Sequence, residues 1–207
     1  VNMANAIYTF DLLGVAVFAI SGALAAAERR MDILTFILFG TITGIGGGTL
    51  RDLLLNTDRV FWIHDPSYIW VCIGASVATW FFAHHFDSRR RVLLWADALG
   101  LALFCVLGTQ KALAWDAPAI VAIGMGMMTA SFGSLIRDSL LNRPPVLLGP
   151  EIYVTAALLG AASFTLLQQF PETATLALPL SMTAAFALRA GALLFDLRLP
   201  KYRAGQE

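Results

Sequence analysis

The chain has 207 residues, of which 58% are hydrophobic and 14% charged, and its formal net charge is zero. Soluble domains carry about 25% charged residues, so this composition excludes a water-facing surface, and the neutral balance excludes a broad nucleic-acid footprint. Cys72 and Cys105 both lie in apolar runs without a Cys-x-x-Cys or His/Cys cluster, which argues against a disulfide framework, a metal centre or a bound cofactor.

Seven apolar spans of about 20 residues each read along the chain, at 6–27, 33–55, 68–86, 92–114, 117–141, 152–168 and 175–196. Short connections rich in Asp, Pro, Asn and Arg join them. The first span ends in Ala25-Ala26-Ala27, as a secretion signal does, but no basic residue precedes it. Basic residues collect on one side of the predicted membrane: Arg29, Arg30, Arg89, Arg90, Arg91, Arg137, Arg143, Arg198, Lys201 and Arg203. The other side holds only Arg51 and Arg59 near its loops. The positive-inside rule therefore predicts an outward N-terminus and a cytoplasmic C-terminus. The expected class is an all-α integral membrane protein of seven transmembrane helices, one membrane domain over 1–207.

An internal repeat organises the first six spans. At an offset of 86 residues Asp11 matches Asp97, Gly14 Gly100, Phe18 Phe104, Gly22 Gly108, Gly40 Gly126 and Thr43 Thr129. Gly47, Arg51, Asp52, Asn56 and Gly74 continue it with Gly133, Arg137, Asp138, Asn142 and Gly160. Each copy, 6–86 and 92–168, holds three spans, and an odd number inserts the second copy with inverted orientation. The seventh span belongs to neither. Because the first span matches the fourth, it is expected to be a retained helix.

The middle span of each copy carries the strongest site signal. Gly44, Gly46, Gly47 and Gly48 fall within five positions, and each glycine forfeits about 1 kcal/mol of helix propensity relative to alanine. The run begins well inside the hydrocarbon layer, where unpaired backbone survives only against protein or a water-filled cavity. Its counterpart, Ser131, Gly133 and Ser134, is again small and hydroxylated. Two interrupted helices in matching positions predict a substrate or ion site; the alternative is close packing through small residues. Carbonyls together with the hydroxyls of Thr43, Thr49, Thr129, Ser131 and Ser134 suit a cation, whereas a half-helix N-terminus would suit an anion or carboxylate.

Charged residues flank these segments. Arg51-Asp52 and Arg137-Asp138 either snorkel to the interface or line a pore vestibule. Asp11 and Asp97 are expected to pair with these arginines. Lys111, with Ala25 at the matching position, either snorkels or projects into the pathway as a positive plug. Arg189, near the inner end of the last span, is expected to anchor to headgroups. No nucleophile–base constellation or phosphate-cradling loop occurs, so an enzyme is not expected.

The duplicated three-helix unit, the run from Gly44 to Gly48 followed by Arg51-Asp52, and the Gly133 to Asp138 echo resemble the prokaryotic trimeric intracellular cation (TRIC) channels. The same bacterial sequences are grouped under a tandem domain named for glycine transport. The resemblance implies a homotrimer in the bacterial inner membrane, surrounded by membrane lipids, each protomer with its own hourglass pore along the two glycine-rich helices. It implies potassium as the usual ion and sodium as another monovalent candidate. Phe132 and Ser134 replace glycines of the first copy, which implies a shallower second kink. The lipid-binding Lys-Glu-Val motif of animal members is replaced by Thr49-Leu50-Arg51, against phosphoinositide regulation there. Lys111 matches a voltage-sensing lysine of those members. A secondary transporter of glycine or another small amino acid is the alternative, and a membrane scaffold the third.

Overall fold

A chain that leaves water must satisfy its backbone internally, and a helix does so within one segment. The computed structural model, which describes residues 3–86, 88–149 and 151–200, is accordingly all-helical: α1 (Met3–Glu28), α2 (Ile33–Leu54), a four-residue α3 (Phe61–His64), α4 (Ser67–Phe82), α5 (Arg89–Ala114), α6 (Ala119–Leu140), α7 (Val154–Leu167) and α8 (Pro171–Phe195). Among the described residues the one extended pairing is an isolated bridge between Glu151 and Arg198. Six helices are long and apolar enough to cross a membrane, α4 with the 3₁₀ turn Ala83–His85 that extends it. α7 has 14 residues, or about 21 Å at 1.5 Å each, short of a hydrocarbon layer about 30 Å thick. The all-α reading stands, with six long helices and a shorter seventh.

Sequence explains where several helices stop. Arg30, Asn56, Asp116, Asn142 and Asp196 take left-handed backbone with φ near 50°. At each, the following residue donates its amide five positions back, as Met31 does to Ala26, Thr57 to Asp52, Ala117 to Ala112, Arg143 to Asp138 and Leu197 to Ala192. This closing turn caps carbonyls that the helix leaves open. At the N-terminal side of α2, Asp32 accepts from the amide and hydroxyl of Thr35, both at 2.9 Å, and these bonds hold its carboxyl below its ordinary range.

Two helices form the core. In the membrane-length windows 61% of α1 and 72% of α5 are buried, against 28–39% for the others. They meet at stacked rings of Phe18 and Phe104, 5.4 Å apart. Gly14 lies under Phe104 and Gly100 under Phe18, where a Cβ would come within 3.0 and 2.7 Å of the ring. α2 packs on α1 and α6 on α5, while α4, α7 and α8 surround them. Outward positions such as Leu34, Leu38, Trp70, Ile120 and Leu194 are more than half exposed, the pattern of a lipid-facing surface.

Candidate functional site

The glycine runs do not interrupt their helices. α2 is helical throughout 33–54 and α6 throughout 119–140, and no described glycine has positive φ. This corrects the expected break: neither Gly44 to Gly48 nor Ser131 to Ser134 leaves helical geometry, and no half-helix N-terminus is created. The glycines serve the other purpose, close approach. A Cβ on Gly47 would overlap the carbonyl of Thr129, and one on Gly133 would overlap the carbonyl of Thr43. Each helix thus rests a bare Cα on the other's backbone oxygen. Gly22 and Gly108 bring α1 and α5 against the same two threonines, with hypothetical Cβ atoms 2.5 and 2.6 Å from Thr43 Oγ1 and Thr129 Oγ1. Gly44 faces Cys72 and Val15 on α4 and α1. Gly46 meets Ile136 and Gly133 at ordinary distance, and Gly48 faces the ring of Phe61.

Each site hydroxyl has a carbonyl acceptor on its own helix, and Ser134 shares its proton between that carbonyl and the Tyr153 hydroxyl. Thr43 donates to Phe39 O (2.7 Å), Thr49 to Ile45 O (2.8 Å), Thr129 to Met125 O (2.6 Å), Ser131 to Met127 O (2.7 Å) and Ser134 to Ser131 O (2.9 Å). What remains on the oxygens of the first four is acceptor capacity. Thr49 uses part of it on the indole N–H of Trp62 (2.9 Å), and Ser134 faces the hydroxyl of Tyr153 (3.0 Å).

The C-terminal end of α2 holds a closed ion cluster. Arg51 is 3% exposed and Asp52 1%, so neither snorkels. Asp52 receives Arg51 Nε at 2.8 Å, Lys111 Nζ at 2.9 and 3.0 Å, and the amide of Phe61 at 3.0 Å. Both cations also face the Phe61 ring, 5.7 Å from its centroid. Lys111 therefore points inward. Asp11, expected to pair with Arg51, instead accepts from the Tyr68 hydroxyl at 2.6 Å. A cavity of about 620 Å³ opens beyond the cluster, reached by Tyr8, Asp58, Asp65, Lys111 and Trp115. There the Tyr8 hydroxyl (2.7 Å) and the Ser67 amide (2.9 Å) donate to Asp65 and hold its carboxyl below its ordinary range.

The end of α6 is built differently. Arg137, fully buried, forms a two-pronged pair with Asp97 at 2.9 and 3.0 Å and a further bond to Asp138 at 2.8 Å. Ser21 from α1 bridges Arg137 and Asp97 at 2.5 Å to each. A cleft of about 290 Å³ opens here, at the opposite end of α1 from the first cavity, lined by Glu28, Arg90, Arg137, Asp138 and Arg143. Arg189 departs from its expected headgroup position: it is 1% exposed, bonded to Glu151 at 2.6 Å, and stacked 5.2 Å over the Tyr153 ring.

The chain has counterparts among known proteins over nearly its whole length. A family model described as glycine transporter matches the chain twice, over residues 8–84 and 94–169. The TRIC trimeric intracellular cation channel orthologue from Rhodobacter sphaeroides is 47% identical in sequence, and its structure matches with a TM-score of 0.90 over 93% of this chain and 99% of that one. This chain belongs to the TRIC family. A further TRIC cation channel structure, 31% identical, matches 96% of this chain and 98% of that one with a TM-score of 0.85. The UPF0126 inner membrane protein YadS of Escherichia coli K12 is 35% identical over 204 residues, covering 95% of this chain and 96% of that protein. A UPF0126 membrane protein of Vibrio cholerae is 35% identical over 200 residues, 95% and 82% of the two.

Four residues of this TRIC chain escaped the sequence reading: Ser21, Phe61, Tyr68 and Tyr153. Ser21 matches Leu107 in the repeat and so carries no duplicated signal. The two tyrosines both stand at the start of a copy's third helix, but 85 residues apart. A one-residue slip in the repeat alignment finds them.

Proposed function

We propose that this chain is a potassium-permeable channel for monovalent cations, working as a homotrimer in the bacterial inner membrane, with one pore per protomer along the α2–α6 crossing. The observation that carries this reading is the direction of the site's hydrogen bonds. Thr43, Thr49, Thr129 and Ser131 each donate to a carbonyl of their own helix, so these four oxygens offer lone pairs and no free donor. Such oxygens can replace part of a cation's hydration shell. The carboxylate of glycine needs donors, and the buried guanidiniums that could supply them are occupied by Asp52, Asp97 and Asp138. The 47% identity to a cation channel points the same way. No catalytic role is assigned to any residue.

The pore is read as an hourglass. The Lys111 cavity and the Glu28 cleft are its mouths, Arg51, Asp52, Arg137 and Asp138 border them, and the crossing at Thr43, Gly47, Thr129 and Gly133 is the waist. Its two halves, 6–86 and 92–168, are read as inverted units, with α8 outside both. The double match of the family model at a spacing of 86 supports this, as do the exchanged Gly14–Phe104 and Gly100–Phe18 contacts. The excess of arginine at the Glu28 end favours a cytoplasmic position for that mouth.

Purified protein in a planar bilayer under a potassium chloride gradient tests the proposal. Unitary currents reversing toward the potassium equilibrium potential are expected. Absence of such currents, with saturable accumulation of labelled glycine by proteoliposomes, would replace the channel by a carrier. Unchanged permeability after bulky substitution at both Gly47 and Gly133 would leave only a scaffold.

A further inference from the structure

A cleft of about 460 Å³ runs between the start of α5 and the end of α8, beside the Glu28 cleft, with which it shares Arg90 and Leu94. Ser88, Arg90 and Arg91 line it at the helix start, and Leu94, Trp95 and Leu194 line it farther along. Arg90 and Leu94 are one helical turn apart, about 6 Å, so charge gives way to apolar surface over the depth at which a headgroup gives way to acyl chain. Trp95 packs toward Phe186 of α8, 6.3 Å between ring centroids, and tryptophan favours this interfacial level. Leu194 and Phe195 are 67% and 75% exposed.

Among the described residues the charges of this corner are not balanced. Arg89 is tied to carbonyls of Ala83 and Ala27. Arg90 and Arg91 are exposed and make no side-chain hydrogen bond or ion pair among the described residues. Asp196, the acid that ends α8, holds Arg198 instead, at 3.0 Å. Two guanidiniums above an apolar wall match a phosphate that carries chains: arginine takes phosphate oxygens in pairs, and basic pockets between membrane helices take anionic headgroups. We propose that this cleft binds an anionic membrane phospholipid, its phosphate between Arg90 and Arg91 and an acyl chain along Leu94, Trp95 and Leu194.

The test uses the full chain purified in a neutral detergent, with phosphatidylglycerol or phosphatidylcholine added, read by native mass spectrometry and thermal melting. Retained phosphatidylglycerol and a raised melting temperature are expected for the unaltered chain, with phosphatidylcholine giving neither. R90Q/R91Q should lose most of the bound lipid and of the shift, whereas R59Q, in the cavity at the other end of α1, should keep both. Equal retention by R90Q/R91Q overturns the proposal. So does an equal loss in R59Q, which would reduce the effect to overall charge, and so does an equal shift with inorganic phosphate, which would make the site one for a free anion.

Discussion

Replacing Gly133 by alanine adds one methyl group at the point where α6 lies on α2. Its only room is occupied by the carbonyl of Thr43, which is backbone and has no rotamer by which to withdraw. In the same helix, Gly124 has no atom within 4 Å of a built Cβ, so Gly124→Ala measures the helix-propensity gain alone, about 1 kcal/mol. At Gly133 the same gain is opposed by overpacking of about 1–3 kcal/mol. Gly133→Ala should therefore lie about 1–3 kcal/mol below Gly124→Ala in stability. Equilibrium unfolding in mixed micelles measures the gap. Gly47→Ala, against the Thr129 carbonyl, should behave alike, whereas Gly46→Ala, with its nearest neighbours at 3.5 and 3.6 Å, should be tolerated. One separation of the helices relieves both clashes, so the Gly47→Ala/Gly133→Ala pair should cost less than the sum of its parts. If Gly133→Ala proves as stable as Gly124→Ala, the close crossing is not what these glycines serve.

Asp97→Asn removes one of the two carboxylates on a fully buried Arg137, leaving Asp138, and should cost about 3 kcal/mol, the low end for breaking a buried pair, seen as lost yield of folded protein. Asp11→Asn should be far milder, because an amide oxygen still accepts from Tyr68. Lys111→Gln removes a cation from the wider mouth. A unit charge about 4 Å away across water opposes a cation by about 1 kcal/mol, so unitary potassium conductance should rise a few-fold in dilute salt and less in concentrated salt. For Asp65, whose carboxyl is depressed chiefly by the Tyr8 hydroxyl, the contribution to stability is present above its unfolded pKa and fades as pH falls through the lowered value. Tyr8→Phe should move that titration upward toward 3.8, as followed by NMR of the carboxyl carbon.

Much of the fold was legible because lipid leaves few options: a long apolar run must become a helix. Polar turns mark most ends to within a few residues. The glycine runs were ambiguous for a physical reason. The same composition permits a broken helix and a close crossing, and the choice depends on what faces Gly47, which is the backbone of Thr129, 82 residues away. Hydropathy also misplaced Arg189, because the acid that buries it, Glu151, arrives from the connection between α6 and α7. Lys111 stood out as an unpaired addition to one copy, but its inward direction required Asp52, held on α2.

The exchanged contact between α2 and α6 has a consequence for opening. The oxygens that Gly47 and Gly133 cover are carbonyl oxygens of Thr129 and Thr43, beside the two central hydroxyls. Parting the helices would uncover both carbonyls together, since neither glycine can leave its seat without vacating the other. The seal and the ion's ligands would then be the same atoms, and a cation at the waist would take the place of two Cα hydrogens. Occupancy by the ion would itself favour the parted state.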